Sequence, residues 1–394
     1  MTTPMNFDEL VDRRGTDCAK WDRMETIFGV SPDEGIPMWV ADTDFKAPDV
    51  ILAKISEMVA HGVFGYVDYS KPYTDAIRWW MKTRHDWEVA AEAIFTTTGL
   101  VNAVGMCLDA YTEAGDEILL FTPVYHAFAK VIHAAGRKVV ECPMVNDDGH
   151  YELDFDAWDK QVTDKARMVV FCSPHNPGGR VWTRTELQGV IDFCKRHDLL
   201  LVSDEIHHDL VYPGQKHIPM AAVDPAANDR VIMLTAPSKT FNVAGLHTGN
   251  VIIPDAGLRA PFADRMEALH LSPNSVGQAV ALAAYSPEGA AWVDDLMAYL
   301  DGNRALFDAA VNAIPGLKSM PLEGTFLAWV DFSGTGMSRD EFTARVEKDA
   351  KIAANHGPSF GLGGDNFLRF NLGTQRARIA EACDRLKAAF ADLQ

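Results

Sequence analysis

The chain has 394 residues, of which 47% are hydrophobic and 23% charged, an ordinary globular composition with length enough for a large core and two domains. A net charge of −19 argues against nucleic acid and anionic membrane surfaces as partners. No run reaches transmembrane length, Met1-Thr2-Thr3-Pro4-Met5 lacks the regions of a signal peptide, and the six cysteines show no CxxC spacing, so buried free thiols in a reducing cytoplasm are expected.

The first 48 residues read as mostly irregular and end in Pro37-Met38-Trp39-Val40-Ala41-Asp42-Thr43-Asp44-Phe45. Residues 47–61 read as a helix with Val50, Ile51, Ile55, Met58 and Val59 on one side. A Gly-Val-Phe-Gly-Tyr turn follows at 62–66, then a helix from about Tyr73 to His85. From residue 95 strands and helices alternate. Thr98-Gly99 opens a helix with Val101, Val104, Leu108 and Tyr111 on one face. Strands are predicted over 117–121, 138–142, 168–172, 199–202, 231–234 and 250–253, with helices over 125–135 and 185–196. Continuous apolar runs separated by helices predict an α/β fold with a mostly parallel sheet covered on both faces. Right-handed crossovers would gather the loops after these strands on one edge, where ligands of open α/β sheets bind. Beyond residue 287 come a long helix, strands near 317–332, a helix at 339–349, a strand at 367–370 and a last helix at 376–391. The predicted division is a large domain, 49–287, and a smaller α+β domain made of 1–48 and 288–394.

Polar residues at the strand ends suit one job. Thr98-Gly99-Leu100 at a helix N-terminus offers free N–H groups to a phosphate, or is a plain N-cap. Asn176, between two prolines in Ser173-Pro174-His175-Asn176-Pro177-Gly178-Gly179, could donate to a phenolate, or simply serve its turn. Asp204 follows a buried strand and needs a cationic partner such as a protonated pyridine nitrogen, with His207 near the same ring. Asp204, His207 and His208 also suggest a metal site, but adjacent histidines at a strand exit rarely point the same way, so no metal is expected. Lys239, in Ala236-Pro237-Ser238-Lys239-Thr240-Phe241-Asn242, sits past a buried strand, where a neutral amine is favoured and a Schiff base can form. Arg369, inside the apolar strand Phe367-Leu368-Arg369-Phe370, needs an anion. A substrate carboxylate and an internal salt bridge serve equally.

Taken in order, the Gly99 turn, Asn176-Pro-Gly, Asp204-x-x-His207, Ser238-Lys239 and Arg369 resemble the fold-type I enzymes of the class I/II aminotransferase superfamily, which use pyridoxal 5'-phosphate (PLP). Trp39–Phe45, His61-Gly62-Val63-Phe64-Gly65-Tyr66, Asp204-Glu205-Ile206-His207 and Ser238–Asn242 resemble its cystathionine β-lyase (C–S lyase) branch more narrowly. The resemblance implies that Lys239 forms the Schiff base and takes the Cα proton, that Asp204 pairs with the pyridinium, and that Tyr125 stacks on the ring as a third catalytic residue. It implies Asn176 and His207 at the ring oxygen, and Thr98, Gly99, Leu100 and Ser238 at the phosphate. Tyr66 would reach the phosphate of a neighbouring subunit in a homodimer with shared active sites. Arg369, with Asn176, would bind the carboxylate of an amino-acid substrate. Two positions depart from the aminotransferase pattern: His247 stands where a phosphate-binding arginine is usual, and Ala236 where a serine is. The implied reaction is α,β-elimination from cystathionine or a related cysteine conjugate to a thiol, pyruvate and ammonia. An aminotransferase, and a regulatory protein on the same fold, are the other readings.

Overall fold

The computed structural model describes residues 5–68 and 70–393. A seven-stranded sheet runs, from edge to edge, Ile94–Thr97, Gly249–Ile252, Val231–Thr235, Leu200–Asp204, Ala166–Cys172, Glu117–Thr122 and Lys138–Pro143. All are parallel except Gly249–Ile252, which is antiparallel to both neighbours. The mostly parallel α/β sheet expected from the apolar runs is therefore present. The edge strand Ile94–Thr97 was not anticipated, because Thr96-Thr97-Thr98 is polar and the run is short.

Alternate side chains explain the two covered faces. Leu119, Phe121, Val169, Phe171, Leu201 and Met233 face a core built with the helices Ser70–His85, Arg184–Arg196 and Ser275–Ala284. Ile118, Leu120, Val170, Val202, Ile232 and Leu234 face the opposite core, with the helices Leu100–Tyr111, Ala127–Ala134 and Ala256–Ala268. The helices at 256–268 and 275–284 escaped prediction. The first has no clear apolar stripe and carries Pro261.

A second sheet of four short strands, Lys318–Ser319, Leu327–Asp331, Phe367–Asn371 and Asn355–His356, lies beyond the long helix Pro287–Asn312. The N-terminal segment joins this part: Ile36–Pro37 pairs in parallel with Ile352–Ala353. Lys20, fully buried, lies 2.9 Å from the Asp44 carboxylate, and Arg13 lies 2.9 Å from the same group. Burial would raise the Asp44 pKa, but these two cations hold it down to about 2.

Two expected faces need correction. In the helix Asp49–His61 only Ile51 is fully buried, and Val59 is exposed. In Leu100–Tyr111 the buried stripe is Leu100, Ala103, Val104, Cys107 and Leu108, while Val101 is exposed and lines a cleft. The rest of each expected face holds in full or in part: Val104 and Leu108 are buried, and Val50, Ile55 and Tyr111 pack against the two cores.

Candidate active site

The strand C-termini meet at one edge of the large sheet, around a cleft of about 410 Å³. Thr98, Gly99, Leu100, Tyr125, Asn176, Asp204, His207, Ser238, Lys239 and His247 all line it. Of the residues anticipated to face the ligand within one chain, only Arg369 is outside this lining, and it donates to Asn176 Oδ1 at 2.8 Å. Tyr66 is far more open: it is fully exposed, in a stretch where Val63, Phe64 and Val67 are exposed too. Ala236 is buried beneath the Lys239 turn and does not line the cleft.

Each segment is shaped by its sequence. Gly99 has φ 117°, a region that disfavours side chains, and caps the helix Leu100–Tyr111 without any side-chain cap. The first N–H groups of that helix, from Leu100 to Asn102, are thus left for a ligand. The Gly249 backbone approaches so closely that a Cβ there would lie 2.6 Å from Leu100 Cδ2. In the 173–179 turn, His175 is the buried organiser: Nδ1 accepts from Gly178 N–H at 3.2 Å and Nε2 donates to the Pro123 carbonyl at 3.0 Å.

Lys239 donates from Nζ to the Ala41 carbonyl at 2.7 Å. Burial draws its pKa down to about 8; Asp42 and Asp204 oppose the fall and Arg369 adds to it. Asp204 accepts from the Ile206 N–H at 3.1 Å, and no lysine, arginine or histidine among the described residues forms an ion pair with it. Burial pushes its pKa up to about 7. His207 has a buried Nδ1 without a hydrogen-bond partner, and burial, then the charges of Lys239 and Arg369, hold its pKa well below the ordinary value. Desolvation also raises the Tyr125 phenol.

Arg369 has only neutral partners among the described residues. It donates to Asn176 Oδ1, the Trp39 carbonyl and Asn355 Oδ1, each at 2.8 Å, and its guanidinium lies 5.0 Å from the Phe360 ring centroid. All of these partners are neutral. Nε has no partner, and burial lowers the pKa to about 10. An internal salt bridge is therefore absent among the described residues, and a desolvated cation is left without an anion.

The segment Trp39–Phe45 forms a strap over this constellation. Trp39 and Ala41 carbonyls receive Arg369 and Lys239. Asn242, at φ 57°, clamps the strap: Nδ2 donates to the Thr43 and Phe45 carbonyls at 2.8 and 3.0 Å, and Oδ1 accepts from Thr43 N–H at 3.0 Å. Asn371 Nδ2 donates to the Val40 and Asp42 carbonyls. Asn242, Asn355 and Asn371 were not anticipated. Isolated asparagines carry no periodic signal, and two of them act through main-chain carbonyls.

The donor set fits PLP. A lysine amine drawn toward neutrality, a desolvated carboxyl without a basic partner, an unpartnered imidazole nitrogen and an uncapped helix N-terminus match an aldehyde, a pyridine nitrogen, a phenolic oxygen and a phosphate. Fold and cleft together define a fold-type I PLP-dependent enzyme. The family model for aminotransferase class I and II matches residues 40–386, and the chain belongs to that family. It is 37% identical to cystathionine beta-lyase PatB of Bacillus subtilis (strain 168) over 387 residues, 98% of this chain and 100% of that protein. The PLP-containing crystal structure of cystalysin from Treponema denticola superposes with a TM-score of 0.94 at 34% identity, covering 99% of this chain and 100% of that one. The PLP-bound C–S lyase from Staphylococcus hominis gives a TM-score of 0.89 at 30% identity, over 98% of both chains.

Proposed function

We propose that the chain is a C–S β-lyase that splits cystathionine, or a related cysteine S-conjugate, into a thiol, pyruvate and ammonia. The observation that carries an α-amino-acid substrate is Arg369, a buried guanidinium with only neutral partners beside Asn176 and the cleft. The choice of sulfur elimination rests on relatives that are themselves cystathionine or C–S lyases.

When bound, PLP supplies an electron-withdrawing conjugated ring that stabilises negative charge at the substrate Cα. Lys239 would hold the cofactor through Nζ and is the group that would take the Cα proton; its lowered pKa keeps a neutral amine within reach at neutral pH. Asp204 gains a cationic neighbour in the ring nitrogen, which relieves the burial that otherwise favours its protonated form. Asn176 and His207 meet the ring oxygen, and Tyr125 covers the ring. The Leu100–Asn102 N–H groups, with Thr98, Gly99 and Ser238, hold the phosphate. His247 at the cleft wall takes the place where an arginine is usual, and the buried Ala236 offers no hydroxyl. Arg369 and Asn176 orient the carboxylate. The Cβ–S bond then breaks with its electron pair on sulfur, which leaves as thiolate. Water hydrolyses the remaining three-carbon fragment to pyruvate and ammonia.

The same reading makes the enzyme a homodimer. Tyr66, exposed among Val63, Phe64 and Val67, reaches the neighbouring subunit's phosphate, and the apolar stretch is covered by that subunit. The large and small domains are residues 49–287 and 1–48 with 288–394. Six free cysteines, five of them buried, suit the cytoplasm. No described helix is long and apolar enough to cross a membrane.

The test is the visible absorption of the PLP-loaded protein, with pyruvate assayed on adding L-cystathionine. A lysine-linked cofactor band and pyruvate release, both lost in Lys239→Ala, are expected. A protein that takes up no PLP would overturn the reading.

A further inference from the structure

The turn after the strand Leu200–Asp204 sends adjacent histidines in opposite directions. His207 lines the active-site cleft, whereas His208 lines a separate cavity of about 370 Å³ with Arg84, His85, Asp209, Lys216 and His217. Here His85 Nε2 lies 2.9 Å from Asp209 Oδ1, and His208 Nε2 lies 3.3 Å from Asp209 Oδ2. One ligand atom from each of the three residues falls within 4.8 Å of the others. The His217 ring is next to them, with its centroid 5.6 Å from that of His85. All four side chains are more than nine-tenths buried.

A closed hydrogen-bond network leaves two features unexplained. His208 Nδ1 lies 2.6 Å from the Glu205 carbonyl, so that nitrogen carries the ring hydrogen. Nε2 then presents a lone pair to the buried cluster, and it has no hydrogen-bond partner. The Asp209 carboxylate, for its part, has no lysine or arginine ion-pair partner among the described residues. Its other donors are Trp80 Nε1 and Thr240 Oγ1, each at 2.9 Å. A lone pair facing a buried carboxylate is repulsive unless a proton or a metal cation lies between them.

We propose that His85 Nε2, His208 Nε2 and the Asp209 carboxylate bind a divalent metal ion of the zinc class. Imidazole with carboxylate is a donor set that suits Zn²⁺. Metal–ligand bonds of about 2.0–2.2 Å place tetrahedral ligand atoms roughly 3.4 Å apart, close to the 2.9 and 3.3 Å that separate the two imidazole nitrogens from the Asp209 oxygens. The contact from His208 Nδ1–H to a backbone carbonyl fixes the tautomer that a ligating imidazole requires. Trp80 and Thr240 orient the carboxylate in the same way. His85 moves its ring hydrogen from Nε2 to Nδ1, so no net proton is released by that ligand. A water molecule from the cavity fills the fourth position. At the rim, Arg84 is paired with Asp294 at 2.7 Å, and Lys216 is exposed.

The ion would join three pieces of chain: the end of the helix Ser70–His85, the turn that carries Asp204 and His207, and, through Thr240, the residue after Lys239. Its role is structural, holding two sides of the cleft in register from behind. Cys107, Cys142, Cys172, Cys194 and Cys383 are buried elsewhere and take no part.

The test uses the PLP-loaded protein, stripped with a chelator, dialysed against Zn²⁺ and analysed for metal content and melting temperature. One zinc per chain and a raised melting temperature are expected. In His208→Gln and His85→Gln zinc affinity should fall at least ~100-fold, whereas His133→Gln, at an exposed position, should bind as the parent does. Co²⁺ added to the parent protein should give weak visible bands of a nitrogen–oxygen site, to the red of the cofactor band, with no thiolate charge-transfer band. This readout stands even if a variant fails to fold. Zinc that washes out of the parent, zinc retained equally by His208→Gln, or a thiolate band with Co²⁺ would each overturn the proposal.

Discussion

Replacing Arg369 with methionine should abolish the enzyme's preference for a substrate that carries an α-carboxylate. The magnitude follows from its surroundings. The guanidinium is buried, its Nε is unpartnered, and its three acceptors are uncharged. A carboxylate brought to it makes charge-assisted hydrogen bonds of about 1.5–3 kcal/mol each. With two such bonds, less what Asn176 still supplies in the variant, the loss is about 3–4 kcal/mol, or roughly 10²–10³-fold in kcat/KM. Because Arg369 also holds Asn176, Asn355 and the strap, the raw loss would mix positioning with recognition. The assay is therefore a cycle. Binding of L-cystathionine and of its analogue lacking the α-carboxyl group is measured by the change in cofactor absorption, in parent and variant. The parent should favour the carboxylate strongly, and Arg369→Met should bind the two about equally. A variant that kept the parent's full discrimination would refute the assignment of Arg369, whatever its turnover.

Other consequences follow from the same geometry. Asp204→Ala should lower kcat by about 10³-fold with much less change in KM, because the carboxylate acts on charge that develops during reaction; an unchanged turnover number would contradict its role. PLP uptake by the cofactor-free protein should depend on pH through Lys239. Below a pKa of about 8 the amine is mostly protonated and cannot attack the aldehyde, so the uptake rate should rise nearly tenfold per pH unit and level off above 8. A rate still climbing toward the ordinary lysine value of 10.5 would show that the amine is not perturbed. For the shared site, Lys239→Ala and Tyr66→Ala subunits, each weakly active alone, should regain activity when unfolded and refolded together. The hybrid dimer contains one site with both native residues, so failure to recover any activity would place Tyr66 outside the neighbouring site.

Much of this was legible in the sequence because parallel strands announce themselves. Val231–Leu234, Met168–Cys172 and Leu199–Val202 are apolar throughout, as strands buried on both faces must be, and Lys239, Asn176 and Asp204, within a few residues of their ends, fall at the ligand edge. The edge strand Ile94–Thr97 and the antiparallel Gly249–Ile252 follow other rules: one is half-exposed, and the direction of the other depends on chain path rather than composition. The stripes of the helices at 49–61 and 100–111 were misplaced where apolar residues face a cleft or open surface rather than the core, as Val101 and Val59 do. The anion that Arg369 lacks could not be read at all, since a salt bridge and an empty carboxylate pocket have the same local sequence. Nor could the opposite aims of His207 and His208 be converted into a place for His85 and Asp209, which converge only through the tertiary fold.

The most direct test of the account is to supply the PLP-loaded enzyme with L-cystathionine and no oxo acid, and to follow thiol and pyruvate together. The account predicts sustained turnover with equal amounts of both products. A single stoichiometric burst that stops with the cofactor in its amine form, and that resumes only on adding a 2-oxo acid, would make the enzyme an aminotransferase and contradict the lyase assignment.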